Sequence, residues 1–207
     1  MAKLAPEAPS FAAIILAGGL GRRMGYRQKG LMQLRNRALI EYALDKVRPY
    51  TNNIVISANK EQEQYAAFGY PVIADVESYA LRGPLAGIYS AAATLASDIE
   101  FIQVLPCDTP FLPNKIVEDL HHSLIAEPTK ELVVAATKDK VHPVIMQFRR
   151  SMLSKLKDYL DDPRELNRVM AFIESCGHGT VNYSDSDRFI NINDTSLLQG
   201  YFDKGQQ

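Results

Sequence analysis

The chain has 207 residues, 46% of them hydrophobic and 23% charged, which suits one domain with a sizeable core. Its net charge of −1 argues against general affinity for nucleic acid, and no apolar stretch approaches the roughly 20 residues of a membrane span. Cys107 and Cys176 form no C-x-x-C pair and indicate no disulfide framework, and we expect a cytoplasmic protein.

The first predicted element follows a short tail. Residues 1–10 are rich in proline and alanine, and we expect them to be a disordered tail before a single domain over 11–207. Residues 11–16 are continuously apolar, which is typical of a strand buried on both faces. This strand leads directly into a glycine-rich loop.

The glycine-rich loop is the most informative stretch of the sequence. Its glycines can take positive φ and let a ligand approach closely, so that successive N–H groups converge on an anion. Cations follow, with no acidic residue among them. These glycines and cations are Gly18, Gly19, Gly21, Arg22, Arg23, Arg27 and Lys29. The pattern suits a triphosphate, and the alternative is an ordinary turn beside a solvated basic surface.

Two familiar phosphate loops do not match this stretch. The dinucleotide fingerprint G-x-G-x-x-G would need a glycine where Met24 stands. The P-loop needs Ser or Thr after its lysine, whereas Gly30 follows Lys29. A phosphate site in this loop would therefore belong to another class.

Helices and strands alternate along the rest of the chain. Helical spacing covers 38–47, 61–68, 85–96, 113–126, 152–160 and 164–174. Further strands are predicted at 53–57, 71–73, 101–105, 132–136, 144–148 and near 181, before a final segment over 189–201. This order predicts an α/β fold, a three-layer α/β/α sandwich with a mostly parallel, Rossmann-like sheet.

Carboxylates follow two of the predicted strands. Asp75 follows the strand at 71–73, and Asp108 follows the buried strand at 101–105 between prolines that fix the backbone. Ligands of such sheets bind outside the carboxyl ends of the strands. A rigid carboxylate beside a triphosphate is what Mg²⁺ requires, although a turn or helix cap is the alternative for Asp108.

Weaker signals come from two glycines and two asparagines. Gly83 and Gly87 surround a helix start, where exposed N–H groups would suit an anion, or they allow close packing of helix on sheet. Asn191 and Asn193 would share one side of a strand, and a helix cap is the alternative for Asn193.

Several motifs in order resemble one known family, the molybdenum cofactor guanylyltransferases (MobA) of the nucleotidyltransferase superfamily. They are L-A-G-G-x-G-x-R-M-G, K-G-L, G-P-L-A-G, P-C-D-T-P-F-L, H-P, R-V-M-A-F-I and N-I-N, running from about residue 11 to about residue 201. His142 of the H-P motif has either a structural or a functional role. Two positions depart from the family: Gln28 replaces the usual aspartate, and Ser57 replaces the usual asparagine.

The resemblance implies transfer of GMP from Mg-GTP to the terminal phosphate of molybdenum-molybdopterin. The products would be the molybdopterin guanine dinucleotide cofactor and pyrophosphate. Mg²⁺ would be the metal, with Mn²⁺ as an alternative. Other molybdenum cofactor biosynthesis proteins and target-enzyme chaperones are further expected partners.

The same resemblance implies a role for each matching residue. Lys29 and Arg22 would hold the outer phosphates and Asp108 the metal, with Asn193 as a second polar group there. Asp75 would select guanine, with a ribose hydroxyl as its rival ligand. The nucleotide-binding set is Leu16, Ala17, Gly18, Gly19, Lys29, Ser57, Asp75 and Asp108. The pterin-binding set is Arg23, Gly83, Gly87 and Asn191.

Two other functions stay open at this point. One is a CTP-dependent cytidylyltransferase acting on molybdopterin or on a sugar or polyol phosphate. Such relatives tend to have Ala-Ala-Gly where this chain has Ala17-Gly18-Gly19, which favours guanine. The other is a non-catalytic nucleotide-binding chaperone module. Retention of both Lys29 and Asp108 argues against it, because binding alone does not require a metal carboxylate.

Overall fold

The computed structural model of the chain describes residues 10–18, 28–80, 82–164 and 168–192. Its strands are β1 Phe11–Leu16, β2 Gln33–Leu34, β3 Arg37–Ala38, β4 Ile54–Ser57, β5 Val72–Ile73, β6 Phe101–Pro106, β7 Leu132–Thr137, β8 Val141–Arg149 and β9 Gly179–Tyr183. Its helices are α1 Leu39–Val47, α2 Gln62–Ala66, α3 Pro84–Ala93, α4 Ile116–Ala126, α5 Met152–Asp161 and α6 Val169–Ser175. None of these helices is long and apolar enough to cross a membrane.

A seven-stranded sheet forms the centre, in the order β5-β4-β1-β6-β8-β7-β9. All neighbouring strands pair in parallel except at β8, which runs antiparallel to both β6 and β7. Strands β2 and β3 form a separate small hairpin. The mostly parallel α/β sheet predicted from the sequence is thus confirmed.

Helices cover both faces of the sheet. Apolar residues of α1, α2 and α4 pack on one face, and those of α3, α5 and α6 pack on the other. Strand β1 contributes to both layers because its side chains alternate: Ala13 and Ile15 face the first set, whereas Ala12 and Ile14 face the second. Burying each isoleucine contributes about 1.5–3 kcal/mol. The apolar run therefore fixes β1 in the middle of the sheet.

Two helix starts differ from the sequence prediction. Helix α4 begins at Ile116 rather than at 113, because Lys115 has non-helical backbone angles (φ −92°, ψ 11°). Helix α6 begins at Val169 rather than at 164. There the carboxylate of Asp162 accepts from the backbone N–H of Arg164 at 2.9 Å, which favours a turn over a helix at that point.

Candidate active site

The backbone after β1 crosses the carboxyl end of β4. The N–H groups of Ala17 and Gly18 both donate to the carbonyl oxygen of Ser57, at 2.9 and 3.0 Å. Gly18 does not take the positive φ that we predicted for it. A Cβ at this position would lie 3.7 Å from the same carbonyl oxygen, which is an ordinary contact. No contact with the described residues requires a glycine here, and close approach of a ligand stays a prediction.

Lys29 and Asp108 form an ion pair at this edge of the sheet. Lys29 Nζ lies 3.0 Å from Asp108 Oδ2, although the two residues are 79 positions apart. Lys29 begins a 3₁₀ helix, Lys29–Leu31, and Asp108 follows the end of β6. Their side chains are 29% and 13% exposed, so the pair is only partly reached by water. The predicted phosphate cation and the predicted metal carboxylate are therefore in direct contact.

Asn191 lies beside Asp108, but it is not on a strand as we predicted. The N–H of Ile192 donates to the backbone carbonyl of Asp108 at 2.8 Å, and the hydroxyl of Thr109 donates to Asn191 Oδ1 at 3.1 Å. These two bonds hold residues 191 and 192 against the turn after β6 instead of in a strand ladder. They bring the chain before Asn193 to the candidate metal carboxylate.

A second cluster contains Ser57, Asp75 and Gly87. A Cβ on Gly87 would overlap the hydroxyl of Ser57 and would lie 3.3 Å from Asp75 Oδ1. Ser57 is 3% exposed. Its hydroxyl forms no hydrogen bond with the part of the chain that the structure describes. A buried polar group of this kind is costly unless a ligand or water satisfies it. Gly87 also packs near Leu16, which favours the close-packing explanation for this glycine, whereas ligand access at Gly87 stays a prediction.

Asp75 is held by Asn59, which our sequence reasoning missed. The Asn59 amide donates to Asp75 Oδ2 at 2.8 Å, and Asn59 Oδ1 accepts from the backbone N–H of Asp75 at 2.8 Å. Burial raises the pKa of Asp75, while the hydrogen bond from Asn59 opposes that rise. A polar amide just beyond the end of β4 was the signal that could have identified Asn59, because ligand-facing groups gather at such strand ends.

Gly83 caps the start of α3. Its φ of 71° lies in the region that favours glycine, and Pro84 takes the first helical position. Just before it, the guanidinium of Arg82 donates to the carbonyl of Leu160 on α5. Gly83 thus has a backbone reason to be glycine. Its pterin contact stays a prediction.

Four predicted site residues, Gly19, Arg22, Arg23 and Asn193, lie outside the described residues. Within the described part of the chain, no three His, Cys, Asp or Glu side chains come together as a metal cluster. Asp108 nevertheless offers the carboxylate oxygen that Mg²⁺ or Mn²⁺ prefers, at a place where phosphate oxygens could complete the coordination.

Residues 13–179 match the model of the MobA-like NTP transferase domain. The chain belongs to this family. The match confirms the resemblance seen in the motifs and makes the protein a nucleotidyltransferase. The molybdenum cofactor guanylyltransferase of Shewanella halifaxensis (strain HAW-EB4) is 39% identical over 183 residues, covering 87% of this chain and 88% of the relative. That of Shewanella loihica (strain ATCC BAA-1088 / PV-4) is 36% identical over 187 residues, covering 89% and 92%.

Solved structures share the fold at lower identity. Molybdopterin-guanine dinucleotide biosynthesis protein A from Archaeoglobus fulgidus is 22% identical with a TM-score of 0.67, covering 91% of this chain and 95% of that one. The 4-diphosphocytidyl-2C-methyl-D-erythritol synthase from Anaerococcus prevotii DSM 20548 is 14% identical with a TM-score of 0.71, covering 96% of each chain. At these identities the likeness establishes the fold alone.

In this MobA-like NTP transferase, His142 has a structural environment. It is 7% exposed, its Nε2 lies 3.1 Å from the Thr137 hydroxyl, and its ring centroid lies 4.7 Å from that of Phe189. Burial, aided by the charge of Lys140, lowers the pKa of His142 to about 4. The imidazole is therefore neutral at pH 7 and packed in the core, so the structural alternative is favoured.

Gly30, the residue after Lys29, packs closely against Tyr65 and Cys107. A Cβ there would lie 2.8 Å from the Tyr65 hydroxyl and 3.2 Å from the sulfur of Cys107. Tyr65 is fully buried, and its hydroxyl donates to the Ala17 carbonyl at 3.4 Å. Burial raises the pKa of the Cys107 thiol, which is therefore inert as a nucleophile. Position 30 therefore has no room for a side chain.

Replacing Gly30 with alanine is expected to lower the free energy of unfolding by about 1–3 kcal/mol, because the methyl group overpacks a rigid site. Urea titration monitored by circular dichroism measures the loss. Gly18→Ala is the matched control, since its methyl group would meet only ordinary contacts. Adding Tyr65→Phe removes the shortest clash and should recover part of the loss. An unchanged stability in Gly30→Ala would contradict this packing.

Proposed function

We propose that this nucleotidyltransferase transfers GMP from Mg-GTP to the terminal phosphate of molybdenum-molybdopterin. The products are the molybdopterin guanine dinucleotide cofactor and pyrophosphate. The names of its relatives support a guanylyl transfer to this cofactor. The observation that carries the proposal is the 3.0 Å contact of Lys29 with Asp108, which follows the end of β6. It brings together the residue that we assign to the phosphates and the residue that we assign to the metal.

The reaction needs no general base. A phosphate monoester has a second pKa of about 6, so it is already a nucleophile at pH 7. A terminal phosphate oxygen of the pterin attacks the α-phosphorus of GTP. As that P–O bond forms, the bond from the α-phosphorus to the bridging oxygen breaks, and its electron pair leaves with pyrophosphate. The protein then contributes positioning and charge neutralisation, which agrees with the neutral, buried His142.

Lys29 and Asp108 would exchange partners when substrate binds. Without a ligand, each neutralises the charge of the other. With GTP bound, we assign Lys29 to the β- and γ-phosphates together with Arg22, and Asp108 to the metal, with Asn193 as a second polar group. When bound, Mg²⁺ supplies positive charge for the phosphates and the leaving pyrophosphate. We assign the backbone of residues 16–19 to contacts with the sugar and phosphates.

Ser57 and Asp75 are assigned to the nucleoside. The Asp75 carboxylate would accept from guanine N1–H and N2–H₂. The Ser57 hydroxyl, which has no hydrogen bond to the described residues, can donate to or accept from the same ligand. A site that pairs with guanine leaves its polar groups unmatched against cytosine, which gives strong discrimination. A ribose hydroxyl is the rival ligand of Asp75.

The pterin substrate is assigned to a separate set of residues. Arg23, Gly83, Gly87 and Asn191 form this set, and Asn191 has the clearest support because Thr109 holds it beside Asp108. We place the reaction in the cytoplasm, with other molybdenum cofactor biosynthesis proteins and target-enzyme chaperones as further partners.

A nucleotide panel tests the proposal. Calorimetric titration with GTP, CTP, ATP and UTP in Mg²⁺ should give the tightest binding for GTP. Pyrophosphate release should then require both Mg-GTP and the molybdenum-bound pterin. Turnover with CTP in place of GTP would support the cytidylyltransferase alternative, and GTP binding without any turnover would support the non-catalytic module.

A further inference from the structure

Asn59 uses both ends of its side-chain amide on one residue. Its Nδ2 donates to Asp75 Oδ2, and its Oδ1 accepts from the Asp75 backbone N–H, each at 2.8 Å. The partners are 16 positions apart, on the loops that follow the neighbouring strands β4 and β5. One side chain therefore fixes both the backbone and the carboxylate of Asp75.

The two carboxylate oxygens of Asp75 have different surroundings. Oδ2 is anchored by Asn59, while Oδ1 lies 3.3 Å from where a Cβ of Gly87 would be. The Ser57 hydroxyl faces the same space over Gly87. A carboxylate on a loop would otherwise rotate, because its terminal torsion is soft. With Asn59 in place, one oxygen stays turned towards the buried hydroxyl.

The hydrogen bond also supports the charge of Asp75. Burial favours the protonated acid, whereas the donated N–H of Asn59 favours the carboxylate. An ionised carboxylate only accepts hydrogen bonds, so it prefers a base that presents donors. Guanine presents adjacent N1–H and N2–H₂ donors, whereas cytosine presents a single amino group beside acceptors.

We propose that Asn59 is a positioning residue that sets the base preference of the enzyme by holding Asp75 with Oδ1 directed over Gly87. This inference rests on the proposed function, because it takes GTP as the nucleotide. Asn59 acts through Asp75 and need not touch the substrate. The proposal adds to the site a residue that stands outside the motifs quoted above.

The test compares GTP and CTP binding by the full chain, using calorimetric titration in Mg²⁺. A hydrogen bond to a charged group is strong enough that Asn59→Ala should weaken GTP binding by about 10-fold or more. CTP binding should change little, so the preference for GTP shrinks. Asn59→Asp, which places a second carboxylate against Asp75, should lose at least as much. Asn52→Ala is the matched control, an exposed asparagine before β4 instead of after it.

Several readouts separate positioning from a general loss of structure. The unfolding free energy of both variants should stay near that of the wild type, because Asn59 is exposed. In turnover assays the effect should appear in KM for GTP more than in kcat at saturation. Equal losses for GTP and CTP, or an unchanged preference for GTP in Asn59→Ala, would overturn the inference. If the wild type does not prefer GTP, the proposed function itself fails.

Discussion

Replacing Asp108 with asparagine is expected to leave a folded protein whose guanylyl transfer in Mg²⁺ is slower by about 10²-fold or more. The asparagine side chain has the same size but carries no charge, so it holds a divalent cation poorly. The backbone carbonyl of Asp108 still accepts from Ile192, which keeps the turn in place. Pyrophosphate release at saturating GTP and pterin measures the change.

The same variant should bind GTP more tightly than the wild type when Mg²⁺ is absent. Two effects act in this direction: Lys29 loses its competing partner at 3.0 Å, and a negative charge no longer faces the phosphates. A variant that is slow with the metal but tighter without it would separate a metal role from simple damage.

Asp45→Asn is the control for this experiment. Its carboxylate also pairs with cations, Arg37 at 2.6 Å and Arg48 at 3.1 Å, but on the exposed surface of α1. Losing such a pair costs little, so turnover should be unchanged. Normal turnover in Asp108→Asn would remove Asp108 as the metal ligand, whatever the control does.

The sheet and half of the site could be predicted from local sequence. The apolar run of β1 and the buried run of β6 predicted two central parallel strands. Ala17 directly follows β1, and Asp108 is the second residue after β6. Carboxyl ends of parallel strands meet at one edge, so the sequence predicted that Asp108 lies near the loop that carries Lys29. The ion pair between the two side chains was not predicted. Neither conclusion depended on the exact ends of the helices.

What sequence reasoning missed depends on three-dimensional contacts. Nothing in the sequence indicates that Asn59 pairs with Asp75, which lies 16 positions away. The overlap that a Gly87 side chain would have with Ser57 is likewise invisible without coordinates. Asn191 was predicted on a strand from alternation alone, whereas hydrogen bonds to the turn after β6 hold that segment out of the sheet.

Replacing Lys29 with alanine is expected to weaken GTP binding by about 10-fold or more, because a hydrogen bond to a charged phosphate is lost. GMP binding should change by less than about 3-fold, since on our assignment the lysine faces the β- and γ-phosphates, which GMP lacks. Lys29→Arg should bind GTP more weakly than the wild type but more tightly than Lys29→Ala, because arginine keeps the charge on a planar group of different shape. Titration of each protein with GTP, GDP and GMP measures the pattern.

The contrast between nucleotides is the decisive part of the Lys29 experiment. Lys155→Ala is the control: that lysine pairs with Glu131 on the exposed surface of α5, and its loss should leave all three affinities unchanged. Lys29→Ala also leaves Asp108 without its cation, so binding is compared with the unfolding free energy of the same sample. A double variant with Asp108→Asn removes the carboxylate that has lost its lysine and should restore any lost stability without restoring GTP affinity in Mg²⁺.

Equal losses for GTP and GMP would place Lys29 at the α-phosphate or the nucleoside and would overturn its assignment to the leaving pyrophosphate.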